Sequence, residues 1–508
     1  MVTFTLQDVA SKSTQSSGYI VIDNKVYEIT EYMSKHPGGD DILAEVLGTD
    51  ATQAFHEVGH SEEAMEQLKP LLAGELQVSK KENTATAKRL SGLYMWVLPP
   101  SINGISTMDG NGPAVEFTLG VAGDGIIVVT LLLVALTTLL LVVSSRPHDG
   151  DKLEVTQLYV YPVKALRGSP MKEVRIGKYG VVGDRTFSLQ KVHRDAETGE
   201  TRYETMLAGY YLQLMLFQAS IDYNQDQGPN AAEVVVTWRG RGTEFDTAKD
   251  VKTADEIRFP LHPSTKECKQ FETSLHASKA MAFEINSKLS TWFSDRLGFE
   301  VLLVYIGDGS RPVLGSMAPN SKSGLTRSRL TRRIQSLLPG LAHPPESLVF
   351  NDIAHYLVVT EESNDQVTSR LDEGYTMDVT KFRPNIVVRG ASGAFVEDYW
   401  GELTFDGDIQ MPLTANCYRC QSITVDYDTG KTATDDRGMA WKKLNKDRRV
   451  DKGAKYSPVF GRYGYCFGSS LGKKIHVGQK AKVTYINKDR TTFDWPHLTS
   501  FGITQTKK

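Results

Sequence analysis

The sequence predicts an α+β chain of several domains: a small mixed unit in front, one apolar helix of membrane-spanning length, and a long strand-rich remainder. Three observations predict this. At 508 residues the chain has room for about three domains, and its 40% hydrophobic and 23% charged residues are an ordinary globular balance, so each can bury a core. The run 126–143 is uncharged throughout and lies between Asp124 and Arg146; its eighteen residues just reach the length at which a helix crosses a bilayer. From Glu154 onward, short runs alternate apolar and polar residues between Gly, Pro and Asp punctuation, the pattern of half-buried strands.

The first unit occupies residues 1–78. Tyr19-Ile20-Val21-Ile22 and Lys25-Val26-Tyr27-Glu28-Ile29 read as two strands joined at Asp23-Asn24, leading into His36-Pro37-Gly38-Gly39. Pro37 bars a helix there, and the two glycines permit close backbone approach. Helical periodicity follows over 41–47 and 62–72, with His60 at a turn between helices. His56-Glu57-Val58-Gly59-His60 also satisfies the His-Glu-x-x-His pattern of zinc proteases, which needs both histidines on one continuous helix. Gly59 breaks that helix, so His56 is expected at the surface. Eight acidic residues and no Lys or Arg lie between Lys35 and Lys69, among them Glu45; this is either a solvated face or one that docks a basic partner.

His-Pro-Gly-Gly followed by a second Gly-His pair resembles cytochrome b5 over residues 4–76. The resemblance implies that His36 and His60 clamp the iron of haem b from both faces and that the site passes electrons without binding oxygen. Tyr19 stands where that family usually has tryptophan.

Residues 79–118 are polar, then Pro- and Gly-rich, and read as a linker. Residues 119–146 read as a membrane-spanning or anchoring helix. A single crossing would set the front unit and the remainder on opposite sides of the membrane. A segment that dips and returns, or separate partners on each side, are the alternatives.

Beyond it, 150–310 and 311–492 read as two strand-rich domains, with one strand opening at Gly183, and 493–508 as a polar tail. Two of the four cysteines stand in Asn416-Cys417-Tyr418-Arg419-Cys420, between Glu402-Leu403-Thr404-Phe405 and Ser422-Ile423-Thr424-Val425, both read as strands. A redox dithiol would open a helix, and a zinc site would need two further ligands, whereas Cys268 and Cys466 stand alone. Two small buried hydrophobes, or one soft thiolate on a soft metal with Arg419 beside it, are the readings left. The stretch 311–333, rich in Arg and Ser, reads as a long basic loop that is either solvated or receives the acidic front face.

In order and spacing, Phe382-Arg383-Pro384-Asn385, Glu397-Asp398-Tyr399-Trp400-Gly401, Asn416-Cys417-Tyr418-Arg419-Cys420 and Tyr456-Ser457-Pro458-Val459-Phe460-Gly461-Arg462-Tyr463 resemble the MOSC family. The nearest likeness is to its mitochondrial amidoxime-reducing members, built from an N-terminal β-barrel domain and a MOSC β-barrel domain. The resemblance implies molybdenum held by Cys420, with Cys417, Tyr418 and Arg419 lining the site. It further implies that Lys164, Arg185, Thr360, Glu361, Arg383, Asn385 and Tyr463 hold the molybdenum cofactor, Thr360 and Glu361 within a segment, 351–362, that closes over its pterin. Ala165 replaces the family's usual serine, which removes one hydrogen bond to that cofactor.

The implied function is a membrane-anchored oxidoreductase that reduces amidoximes, hydroxylamines and hydroxamic acids. Its electrons would come from NADH through a separate flavin reductase of the cytochrome b5 reductase type, or through a separate cytochrome b5, since no Gly-x-Gly-x-x-Gly dinucleotide site follows a strand here. The membrane would be the mitochondrial outer membrane or the endoplasmic reticulum, with the MOSC domain facing the cytosol. Two other classes stand beside it: a carrier of cofactor sulfur, which in that family accompanies a pyridoxal-phosphate enzyme, and a non-catalytic haem-binding membrane adaptor. A net charge of −3 asks for no nucleic acid, and four irregularly spaced cysteines fit a reducing compartment.

Overall fold

Four strands order the front domain. In the computed structural model, which describes residues 2–14, 17–36, 40–58, 60, 62–77, 150–195, 198–223, 232–246, 255–321 and 344–496, they run Val2–Phe4, Leu72–Leu76, Lys25–Glu28, Tyr19–Ile22 across one sheet. The expected hairpin is present. Asp23 and Asn24 both take positive φ, 50° and 62°, the two-residue turn that matches strand twist. Helices Asp40–Ala44, Thr52–Val58 and Glu62–Leu68 cover one side. The last ends earlier than its periodicity predicts, because Pro70 turns the chain through a 3-10 turn into the unforeseen strand Leu72–Leu76. His56 is buried rather than exposed: its Nε2 lies 2.9 Å from Asp23 Oδ1, pinning the helix to the hairpin turn.

The linker 79–118, the apolar run 126–143 and the residues 322–333 lie outside the described residues. Among the described residues no helix is long and apolar enough to cross a membrane.

From Lys152 the strands build a barrel. Its order is Ile386–Arg389, Tyr356–Thr360, Val459–Gly464, Ile409–Tyr418, Trp400–Phe405, Lys480–Ile486, Lys152–Val160, and the last strand pairs back with Ile386–Arg389 to close the ring. The division between 150–310 and 311–492 is therefore crossed by the first strand, which belongs to the second domain's barrel. A five-stranded sheet, Thr201–Thr205, Phe187–Arg194, Val301–Tyr305, Ser278–Glu284 and Gln270–Leu275, lies beside it, together with the three-stranded sheet Phe217–Asp222, Glu233–Trp238, Glu256–Pro260. One buried cluster, including Leu158, Phe187, Phe217, Phe293 and Leu413, runs through both. Burying apolar faces on both sides of that boundary ties the two domains into one body.

Four expectations give way to the fold. The strand expected from Gly183 opens at Phe187, because Gly183 and Arg185 both have positive φ. Ser422-Ile423-Thr424-Val425 is a 3-10 turn, Gln421–Thr424, not a strand; both geometries bury Ile423 and Val425, and so short a run cannot distinguish them. Arg311 is no loop residue: it sits in strand Arg311–Pro312, its guanidinium buried against the carbonyls of Val349, Asn351 and Asp352. Nor does a polar tail begin at 493, since Phe493 and Trp495 are buried, Phe493 edge-on to Tyr418 and Trp495 donating Nε1–H to the His276 carbonyl at 2.7 Å.

The front domain and the strand-rich remainder form one compact unit. Val58 and Ile42 join the cluster of Trp441 and Phe460, and Tyr456 packs on the front domain's own core.

Candidate functional site

His36 follows a 3-10 turn, Met33–Lys35, and His60 follows the helix Thr52–Val58, so two chain reversals bring their rings into one cavity. The ring centres are 6.3 Å apart. Two imidazoles each bonded at about 2 Å to one shared metal need a spacing of about this size. His60 Nδ1 lies 2.9 Å from the Phe55 carbonyl, which can only accept, so the proton is on Nδ1 and Nε2 keeps its lone pair. Burial draws His60 down to about 4, against the pull of that carbonyl, so the ring is neutral at physiological pH. Phe55 stacks on it at 4.0 Å and 9°. The rest of the wall is Ile20, Ile22, Leu43, Val46, Leu68 and similar side chains, the predominantly apolar lining of a cofactor pocket.

A second cleft, of roughly 890 Å³, lies at the barrel. Lys164, Arg185, Arg383, Tyr418, Arg419, Cys420 and Tyr463 line it, as the family likeness implies. Three of the residues that shape it, Ala165, Arg185 and Arg383, have φ of 68°, 51° and 58°, a left-handed backbone costing on the order of 1–3 kcal/mol each without glycine. The contacts that hold them there are specific. Arg185 donates from Nη2 to the Arg383 carbonyl at 3.2 Å and Arg383 from Nη1 to the Ala165 carbonyl at 3.4 Å. Both guanidinium groups lie over the Tyr161 ring, at 4.4 and 4.7 Å. Asn385 stands behind this pair, its Oδ1 accepting from Arg185 Nη1 at 3.1 Å, so it positions the arginine instead of meeting a ligand in the main cleft.

The cysteines divide. Cys420 is partly exposed on the cleft wall, its Sγ 3.1 Å from Ser422 Oγ. Cys417 is buried in a hydrophobic cluster and does not line the cleft. Burial pushes its thiol up, against the opposing pull of Arg419, whose Nη1 donates to Cys417 Sγ at 2.9 Å. Arg419 thus braces the cysteine that stays inside, not Cys420 as expected, while its own buried Nε has no partner.

Thr360 and Glu361 are not brought to the cleft. Thr360 caps the helix Glu361–Thr368, its Oγ1 accepting the Ser363 N–H at 3.1 Å, and Glu361 faces a different surface. In their place stand residues that sequence reasoning missed: Asp352, His276 and Tyr210. Asp352 Oδ1 takes Lys164 Nζ and, at 3.3 Å, His276 Nε2. Burial works to raise Asp352, but Lys164 and His276 overcome it and hold the carboxyl well below its usual range. Asp352 belongs to the segment 351–362 that the resemblance had marked; the signal was read at its wrong end. His276 sits in a two-residue hairpin turn, and nothing local ties such a turn to a cleft.

Sequence profiles of three families match: the Cytochrome b5-like Heme/Steroid binding domain over 5–77, the MOSC N-terminal beta barrel domain over 152–300 and the MOSC domain over 345–482. The probable cytochrome b5 of Neurospora crassa is 42% identical over 117 residues, 23% of this chain and 81% of that protein. The chain is a cytochrome b5 and MOSC fusion. An NADH-cytochrome b5 reductase-like protein of Emericella nidulans is 48% identical over 73 residues, and the fusion spans only 16% of that relative. The solved cytochrome b558 of Ectothiorhodospira vacuolata, described as a prokaryotic homologue of cytochrome b5, is 30% identical, covering 15% of the fusion and 99% of its own chain with a TM-score of 0.15. The cytochrome b5-like domain fits haem by the spacing of its histidines, the His60 tautomer and an apolar wall.

In the MOSC cleft, burial draws Lys164 down to about 8, against the opposing pull of Asp352. The side chain is a cation below that pH and a neutral amine above it. Affinity for an anion is therefore expected to fall as pH rises through about 8, followed by inorganic phosphate binding from well below to well above that value. Lys164→Gln is expected to bind weakly and lose that pH dependence; a wild-type profile flat through 8 would contradict this.

Proposed function

We propose that the fusion is a molybdenum-cofactor oxidoreductase with its own haem electron donor, reducing N-hydroxylated compounds such as amidoximes, hydroxylamines and hydroxamic acids. One observation carries it: the accessible thiol of Cys420 shares a cleft with Lys164, Arg185, Arg383 and Arg419. A soft thiolate suits molybdenum and the cations suit an anionic pterin phosphate. The unpartnered Nε of Arg419 and the backbone strain at Ala165, Arg185 and Arg383 also fit a cleft built for a ligand. When bound, the molybdenum cofactor would supply two-electron oxygen removal and the haem one-electron delivery. The balance is R–NH–OH + 2e⁻ + 2H⁺ giving R–NH₂ + H₂O. Lys164 and His276, both on Asp352, are titratable groups of the wall through which protons reach the substrate.

NADH is the proposed source of electrons, through a separate flavin reductase; the likeness to an NADH-cytochrome b5 reductase-like protein supports this. The run 126–143 is proposed to hold the fusion at a membrane, the mitochondrial outer membrane or the endoplasmic reticulum, with the MOSC domain facing the cytosol. Because the haem and MOSC domains pack on each other, they share one side, so a single crossing between them does not fit. Deleting 119–146 is expected to release the protein from the membrane pellet; a deletion that stays there would refute the anchor.

Elemental mass spectrometry of the full chain, made in a host that synthesises the cofactor, tests the main reading. Molybdenum and iron in similar amounts are expected. Iron alone would overturn it.

A further inference from the structure

We infer that the haem cavity is a composite site walled on one side by the MOSC domain, and that Gln421 and Trp441 on that wall carry electrons from the haem to the Cys420 cleft within one chain. This rests on the proposed function for the electron's destination, though the composite wall stands on geometry alone. Three residues lining the His36–His60 cavity, Gln421, Trp441 and Tyr456, belong to the MOSC domain. Two of them are tied directly to the metal-binding motif. Gln421 follows Cys420 in the chain, and Trp441 donates Nε1–H to the Arg419 carbonyl at 2.7 Å. Arg419 and Cys420 line the other cleft. The stretch 419–421 therefore has one end on each cavity.

The contact is held from both sides. Arg449 grips Glu45 with two hydrogen bonds of 2.8 Å, and its neighbour Arg448 is buried, its Nη2 donating to both carboxylate oxygens of Asp398 at 2.7 and 2.8 Å, which anchors the gripping segment in the MOSC core. Thus the acidic face noted in the sequence does meet a basic partner, supplied by this same chain. Electron tunnelling weakens steeply across empty space, so one peptide link and one short hydrogen bond make a favoured path. Docking inside a chain also replaces a dilute carrier with a high effective concentration. Each turnover needs two electrons and two protons for one N–OH group; haem held by His36 and His60 would pass the electrons singly, and the oxidation of one NADH to NAD⁺ by the flavin reductase would supply both.

The test uses the full chain with both cofactors and two readouts. The first is the rate of haem transfer to excess apomyoglobin, followed by absorbance, which needs no turnover. Trp441→Ala and Arg449→Glu are each expected to speed haem loss, by about tenfold for the charge reversal, and Glu45→Arg in the Arg449→Glu background is expected to restore the slow rate. Arg449 is at the surface, so that pair remains decisive if Trp441→Ala fails to fold. The second readout is reoxidation of pre-reduced haem on adding an aryl amidoxime. A rate constant independent of protein concentration in the wild type, slowed in Arg449→Glu, is expected. Haem loss unchanged by Arg449→Glu, or reoxidation that rises in proportion to protein concentration, would overturn the inference. Faster haem loss in the variants with no wild-type reoxidation would instead refute reduction of amidoximes and uphold the composite wall.

Discussion

Cys420→Ala in the full chain is expected to purify with its iron and without its molybdenum, and to lose reduction of N-hydroxylated compounds by more than the roughly 10–100-fold that removal of an outer-shell partner costs a metal site. Cys420 is the accessible thiol of the cleft, and among the described residues no three of His, Cys, Asp and Glu gather into an alternative metal group. The control is its near neighbour. Cys417→Ala leaves the cleft wall intact but takes away the sulfur that Arg419 Nη1 bonds at 2.9 Å in a buried place. It is expected to keep molybdenum and lose about 1–3 kcal/mol of stability, read by chemical denaturation. Elemental analysis of the two variants side by side decides: molybdenum retained in Cys420→Ala, or lost only in Cys417→Ala, would show that the metal ligand has been misassigned.

His60→Ala is expected to remove haem and bring NADH-dependent turnover down to background. His60 is poised by two contacts, the Phe55 carbonyl on Nδ1 and the Phe55 ring on its face, and alanine leaves His36 facing an apolar wall. The absorbance of bound haem measures the first effect. The second is separated from damage to the MOSC domain by supplying electrons from reduced methyl viologen: turnover by that route should persist. Its loss along with the NADH-driven rate would mean that the haem domain supports the fold of the MOSC cleft instead of feeding it. His56→Ala, which breaks the 2.9 Å tie to Asp23, is expected to keep haem.

His36 and His60 were legible through the likeness of their surroundings to cytochrome b5, and the structure places both rings on one cavity. His56 was misjudged because its partner, Asp23, is 33 residues away and only the folded hairpin presents it. In the MOSC cleft, Lys164, Arg185, Arg383 and Cys420 were legible through motif likeness, whereas Thr360 and Glu361 were assigned to the cleft from the right segment at the wrong offset. A threonine before Glu361-Glu362-Ser363 caps a helix by short-range hydrogen bonding, and that demand takes both residues away from the cleft.

The sequence by itself determined which chemistries are present: two histidines at chain reversals, a soft thiol with cations about it, and the apolar and alternating runs that set the domain classes. Only the tertiary structure decided which groups meet. Closing the barrel through strand Lys152–Val160 brings Lys164 to Asp352 and Arg185 to Asn385. Packing Val58 against the Trp441 cluster, with Arg449 on Glu45, sets the His36–His60 cavity against the stretch that holds the thiol. Local propensity acts over a few residues, but buried charges and apolar faces find partners hundreds of residues apart. Those partners follow from the requirement that the whole chain exclude water at once.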